Sequence, residues 1–293
     1  MIPLRVKAMR KAWALGDAKR DEGNVEPSNI KKFKNIEYKK DKCGSLLLDV
    51  YAPKDAKGPL PTIVSIHGGG YFYGDKELYR FYCMDLALRG FTVVNFNYRL
   101  SPENHFPAPL EDTNAVMEWI VEKGQEYFID KDKLFLIGDS AGAQLASHYG
   151  AIYSNAEFAA LFDFKVPDIK ILGLSLACGM YELSHRLKEG STAKLLYDYI
   201  GKKGSIDDPR LRVTSYIDGN FPPSYVFTAY YDFLKEECEP FHKLLLGKGI
   251  HTIMQCYGTE NDKELGHVFH VNMKLPEAKA CNDAQCAFFG SLI

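Results

Sequence analysis

Hydrophobic positions along the chain change their spacing twice. Up to about Arg20 the stretch is basic, and Val6, Met9, Trp13 and Leu15 mark one apolar side of an amphipathic N-terminal helix. From Asn35 to Ala52 the alternation is strand-like, with Lys42-Cys43-Gly44 as the hairpin turn. After Pro61 the rhythm becomes strand, helix, strand, helix. Thr62 to Ile66 and Phe91 to Phe96 are short, β-branched and apolar, as buried parallel strands are. Leu78 to Arg89 between them has helical spacing and stops at Gly90. Pro107 to Lys123 predicts another helix, closed by Gly124. Later strands are predicted over Ile169 to Ser175, Ser224 to Thr228 and Ile250 to Cys256. Later helices are predicted over Asp232 to Leu246, which Pro240 should kink or interrupt, and over Pro276 to Phe289. The alternation predicts an α/β fold, a mostly parallel central sheet flanked by helices. Residues 179–223 break the rhythm and read as an insertion.

Composition narrows the classes of function. The 293 residues, 46% hydrophobic, suffice for one large α/β domain with a substantial core. A net charge of −2 supplies no basic field for nucleic acid or an anionic membrane. Seven cysteines, at 43, 83, 178, 238, 256, 281 and 286, are odd in number and scattered, with no C-x-x-C pair. That usage fits a reducing, cytoplasmic setting. Arg5, Lys7, Arg10 and Lys11 interrupt every candidate signal-peptide core, and no run approaches membrane-spanning length. With neither a G-x-x-x-x-G-K loop nor a ligand-spaced Cys/His cluster, no nucleotide, metal or organic cofactor is expected.

The chemistry gathers around one serine. Gly138-Asp139-Ser140-Ala141-Gly142 lies between the apolar run Leu134 to Ile137 and a small-residue helical stretch from Ala143 to Tyr149. A G-x-S-x-G pentapeptide in that setting reads as a nucleophile elbow, its glycines permitting a tight strand-to-helix turn. His67-Gly68-Gly69-Gly70 follows a core strand, and its bare backbone N–H groups suit a developing oxyanion. Gly68 and Gly69, with Ala141 after the serine, are the expected donors. Asp232 follows the strand Tyr225 to Ala229 as the candidate acid, or as an N-cap of the helix after it. Glu236 and Glu237 are nearby alternatives that early helical positions turn to solvent. For the base, His267 and His270 both follow the last strand, and the residues alone do not choose between them. His251 at a strand start and His242 within a helix read as structural or surface residues. Arg99 is placed to pair with Glu103 or Asp112 and fix its loop, and Asp139 reads as a structural hydrogen-bonding residue. Tyr71, Phe72 and Tyr73 either shorten a substrate pocket or simply pack in the core.

From about Thr62 to the C-terminus the chain resembles the hormone-sensitive-lipase-like branch of α/β-hydrolases, with its small bacterial acetyl esterases and carboxylesterases. His67-Gly68-Gly69-Gly70 and Gly138-Asp139-Ser140-Ala141-Gly142 carry the resemblance, and Tyr98-Arg99-Leu100-Ser101-Pro102-Glu103 adds to it. It implies an α/β-hydrolase fold with a cap from about residues 1–34 and 179–223. It also implies Ser140, Asp232 and His267 as a triad, because the family's histidine commonly precedes one residue and then phenylalanine, as in His267-Val268-Phe269. The family's Asp-Pro-Leu reads Asp232-Phe233-Leu234 here, so the helix start is less fixed. The expected function is hydrolysis of small, short-acyl esters, acetylated carbohydrates among them, through an acyl-enzyme. An amide or peptide hydrolase and a non-catalytic binding module are the rival readings. The expected partner is a small-molecule ester, with homo-oligomerisation left open.

Overall fold

A computed structural model describes residues 2–40, 46–183, 191–201 and 206–293. The expected hairpin turn at Lys42-Cys43-Gly44 lies outside the described residues. Eight strands form one sheet in the order β1-β2-β4-β3-β5-β6-β7-β8. They are β1 (Ile30–Glu37), β2 (Leu47–Pro53), β3 (Leu60–Ile66), β4 (Thr92–Phe96), β5 (Ile129–Asp139), β6 (Ile171–Ala177), β7 (Ser224–Ala229) and β8 (Thr252–Tyr257). β1 and β2 add antiparallel at one edge, and every pairing from β4 to β8 is parallel. The sheet is therefore the mostly parallel one that the alternation implies.

Parallel strands need crossovers, and the crossovers cover both faces. One apolar layer gathers Val64, Leu136 and Leu174 with α3 (Ala108–Lys123) and α4 (Ala141–Ser154). The other gathers Ile63, Phe135 and Phe227 with α2 (Arg80–Ala87) and the C-terminal helix Pro276–Gly290. Adjacent residues of one strand thus enter opposite layers, as the period-two pleat requires.

The boundaries meet one expectation and correct three. Gly124 closes α3 as expected, though right-handed at φ −55°: a 3-10 turn follows it, and Phe128 takes the left-handed position at φ 64°. Pro240 lies within the helix Lys235–Gly247 and does not interrupt it. The N-terminal helix, α1 (Leu4–Asp21), exists, but Leu15 is exposed and only Val6 is buried. Residues 30–34, assigned to a cap, are paired to β2 as the edge of the sheet, so the N-terminal element lying over the sheet's carboxyl ends is α1 alone.

Polar clamps hold α1 down where apolar burial does not. Arg10 donates to the Phe72 carbonyl at 2.7 Å and to the Ser101 carbonyl at 2.9 Å, and grips Glu103 with two bonds of 2.7 and 2.8 Å. Arg20 donates to the Leu78 carbonyl, and the Tyr73 hydroxyl donates to Asp17 at 2.6 Å. Trp13 packs on Phe72 with ring centroids 4.9 Å apart. Arg99 pairs with Asp112 and Glu111, leaving Glu103 to Arg10.

Candidate active site

The end of β5 is shaped by two glycines. A methyl group on Gly138 would collide with the Gly142 carbonyl, and one on Gly142 with the carbonyls of Ile66 and His67. The chain thus turns from strand to helix within one residue. That residue is Ser140, held at φ 53° and ψ −117° while its N–H donates to the Ala177 carbonyl at 2.8 Å. A side-chain-bearing residue keeps so sparsely populated a conformation only where its surroundings enforce it. α4 begins at Ala141, so the Ala141 N–H is among the helix's unpaired donors and the helix dipole points its positive end at the turn.

Asp232 and His267 meet across the carboxyl ends of β7 and β8. His267 Nδ1 lies 2.6 Å from Asp232 Oδ1. Asp232 also accepts the Leu234 N–H at 3.0 Å and the Thr228 hydroxyl at 2.7 Å. Burial pushes this carboxyl up, but the bonds from His267, Leu234 and Thr228 outweigh it and hold it below the usual carboxylate range. An ionised Asp232 accepts a hydrogen bond from the Nδ1–H of the ring, the tautomer that leaves Nε2 with a lone pair. Asp232 does not cap the following helix, which starts at Lys235 with Leu234 before it. Glu236 is exposed, as its helical position implied.

Ser140, Ala141, Gly68, Gly69 and His267 line one cavity of about 560 Å³. α1 supplies Met9, Trp13, Asp17 and Arg20 to it, and the described part of the insertion supplies Met180, Leu195 and Leu196. Tyr71 and Tyr73 reach the cavity, whereas Phe72 is core. Tyr71 is itself buried and stacks on Tyr199 at 3.9 Å.

The glycine string offers one of the two donors expected of it. The Gly68 N–H donates to the Tyr79 hydroxyl at 2.9 Å, and that hydroxyl donates to Asp139 Oδ2 at 2.8 Å. Gly68 is therefore committed to a buried network and is not a free oxyanion donor. The N–H groups of Gly69 and Gly70 have no acceptor among the described residues. Tyr98 adds a second bolt, donating to the His67 carbonyl at 2.9 Å while its ring stacks on the imidazole. Sequence reading missed Tyr79 because nothing in a lone tyrosine eleven residues along announces a bond to Gly68.

Cys178 was also missed. It ends β6 in a left-handed conformation at φ 49°, and its sulfur, an Asp232 oxygen and a His267 nitrogen lie within 4.8 Å of one another. Burial pushes its thiol well above the ordinary value, so it is a neutral neighbour of the pair and not a thiolate.

His270 lies apart from this constellation, buried in a nest of Tyr82, Phe227 and Phe269. His242 is half-buried with Nδ1 3.2 Å from the Thr252 hydroxyl, and His251 is exposed. Burial holds His67 at about 4, and His148 and His270 at about 3, against an ordinary 6.5. Below pH 6.5 the unfolded chain binds protons at these three sites and the folded chain does not. Their stabilising effect is complete above that value and is lost as pH falls toward 4. Asp139 works the other way: burial raises its carboxyl to about 6, so the folded chain gains a proton there first and recovers part of the loss. The unfolding free energy at pH 5 is expected to lie below that at pH 8 by on the order of 5 kcal/mol. Urea titrations at the two values check this, and equal midpoints would contradict the neutral, buried assignment of the three rings.

Comparison with known proteins agrees with this fold. The chain belongs to the BD-FAE family, whose model matches residues 48–234. It is 24% identical over 258 residues to the versiconal hemiacetal acetate esterase of Dothistroma septosporum, a match covering 84% of this chain and 77% of that protein. It is 26% identical over 216 residues to the acetyl esterase of Salmonella enteritidis, covering 69% of this chain and 64% of that one. Among solved structures, Esterase B from Lactobacillus rhamnosis superposes with a TM-score of 0.90 at 26% identity, covering 98% of this chain and 94% of that chain. These likenesses define an α/β-hydrolase of the hormone-sensitive-lipase-like type, a serine hydrolase with carboxylesterase or acetyl esterase activity. Among the described residues no helix is long and apolar enough to cross a membrane.

Proposed function

We propose that the protein hydrolyses short-acyl carboxylic esters through an acyl-enzyme on Ser140. The observation that carries this reading is the 2.6 Å contact between His267 and Asp232 in the cavity wall that also holds the strained Ser140. Nε2 of His267 takes the hydroxyl proton as Ser140 Oγ bonds to the ester carbon, and the carbonyl electrons move onto oxygen. The Gly69, Gly70 and Ala141 N–H groups receive that oxyanion. Collapse breaks the bond to the alcohol oxygen, which leaves with the proton from His267. Water then attacks by the same route: its oxygen bonds to the acyl carbon as His267 takes one of its protons, and that proton passes to Ser140 Oγ as the acyl–serine bond breaks and the acid leaves. Asp232 remains ionised throughout and stabilises the imidazolium.

The cavity wall speaks for the substrate class. Met9, Met180, Leu195, Leu196, Phe233, Leu234 and Val271 are apolar, and the polar corner of Asp17, Arg20 and Tyr73 is largely occupied by its own bonds. Small aliphatic esters suit these walls better than acetylated carbohydrates. Esterase B has been solved inhibited by a C4-C4 SN3 tributyrin phosphonate, which supports a short acyl chain here. α1 and the lining part of residues 179–223 serve as the cap. The six described cysteines are free, five of them buried, which supports a reducing cytoplasmic setting.

The test is a stopped-flow reaction with p-nitrophenyl acetate and butyrate. An acyl-enzyme gives a burst of about one nitrophenol per site when deacylation is the slower step. With esters and aminoacyl anilides compared side by side, esters are expected to turn over at least about 100-fold faster. Faster turnover of the anilides would overturn the ester reading in favour of an amidase.

A further inference from the structure

We infer that Phe233 selects the alcohol half of the ester, and that it favours bulky apolar alcohols of the arylalkyl kind. The inference rests on the proposed roles of Ser140 and His267. Phe233 follows Asp232 directly, at the end of the segment that carries the acid. Its side chain is 66% exposed, yet it lines the same cavity as Ser140, which places it at the mouth. Among the described residues its one aromatic neighbour is the His267 ring, with centroids 4.3 Å apart and planes at 44°. Trp13, the other exposed ring lining the cavity, is already packed by Phe72 and Tyr73.

The reaction geometry decides which half of the substrate meets this ring. The oxygen that leaves must lie within about 3 Å of His267 Nε2 to receive its proton. The carbonyl oxygen must point the other way, to the donors at Gly69, Gly70 and Ala141. The first carbons of the alcohol therefore pass beside the imidazole, and the next ones reach the Phe233 face. The acyl chain, attached to the ester carbon opposite the leaving oxygen, extends away from His267. An exposed phenyl ring at that point is covered only when an apolar alcohol lies on it, and aromatic partners pack there with added favourable geometry.

The test compares Phe233→Ala with the unaltered protein on benzyl, ethyl and butyl acetates and on ethyl butyrate. Benzyl alcohol and ethanol are leaving groups of similar basicity, so their ratio reports recognition. The kcat/KM ratio of benzyl to ethyl acetate is expected to fall roughly tenfold, the order one apolar contact supplies, with butyl acetate between them. Phe233→Trp should restore the benzyl preference. The ratio of ethyl butyrate to ethyl acetate, which varies only the acyl group, should move less than about twofold. An unchanged benzyl-to-ethyl ratio overturns the inference. So does an equal loss on every ester, which would make Phe233 a support of His267, or a change confined to the acyl series. Failure of the underlying reading looks different: the unaltered protein would then hydrolyse none of the four esters.

Discussion

The Ser140→Ala variant is expected to lose about five to six orders of magnitude in kcat on p-nitrophenyl acetate while folding as before. On the proposed mechanism the loss is large because the side-chain oxygen is the atom that bonds to the acyl carbon, and among the described residues lining the cavity there is no second serine, threonine or cysteine to replace it. The fold should not notice. Ser140 is held by its main chain, through the N–H bond to Ala177 and the close approach of Gly138 to Gly142, and these contacts do not use the hydroxyl. Thermal unfolding of the variant should therefore match the unaltered protein within a few degrees. Near-normal turnover would remove Ser140 from the chemistry.

His267→Ala is the second large effect, expected at four orders of magnitude or more in kcat/KM. Without the ring nothing takes the hydroxyl proton, and nothing returns it to the leaving oxygen. Asp232→Asn is expected to approach it, at about 10⁴-fold. An amide there offers the ring a donor as readily as an acceptor, so the Nδ1 proton is no longer fixed and Nε2 loses its role as base. His270→Ala should act differently. Its ring packs among Tyr82, Phe227 and Phe269, so truncation leaves a cavity and lowers stability by about 3 kcal/mol. The folded fraction should still turn over. Comparing kcat per labelled site with the urea midpoint separates the two histidines, and a catalytic loss specific to His270 would reverse their assignment.

Much of this was legible in local pattern. The β-branched runs at Thr62 to Ile66 and Phe91 to Phe96 are buried strands because only parallel strands covered on both faces need such runs. The order of elbow, acid and histidine along the chain followed from strands that each end at the same edge of the sheet. The residues alone left His267 and His270 level, because both follow β8 by a short loop, and burial distinguishes them only in three dimensions.

What escaped was non-local. Gly68 looked like a free donor because its neighbours in sequence leave its N–H bare, but Tyr79 returns to it after a turn and links it to Asp139. Leu15 completed a helical pattern, yet α1 rests on the sheet's end through Arg10, Asp17 and Arg20, and its outer side needs no apolar cover. A polar clamp of this kind leaves no periodic trace. Phe128 takes a left-handed conformation after Gly124 because the chain continues one 3-10 turn before reversing, which nothing in the local pattern announced.

The most direct test is reaction with a fluorophosphonate followed by mass spectrometry of the digested chain. The phosphorus is attacked only by an oxygen whose proton is taken by a neighbouring base, and the adduct mimics the tetrahedral intermediate with its oxyanion. Stoichiometric loss of activity with one adduct, on the peptide holding Ser140, is the result expected. It should vanish in Ser140→Ala and slow by orders of magnitude in His267→Ala. An active protein that remains unlabelled, or one labelled elsewhere with Ser140 intact, would contradict the nucleophile assigned to this turn.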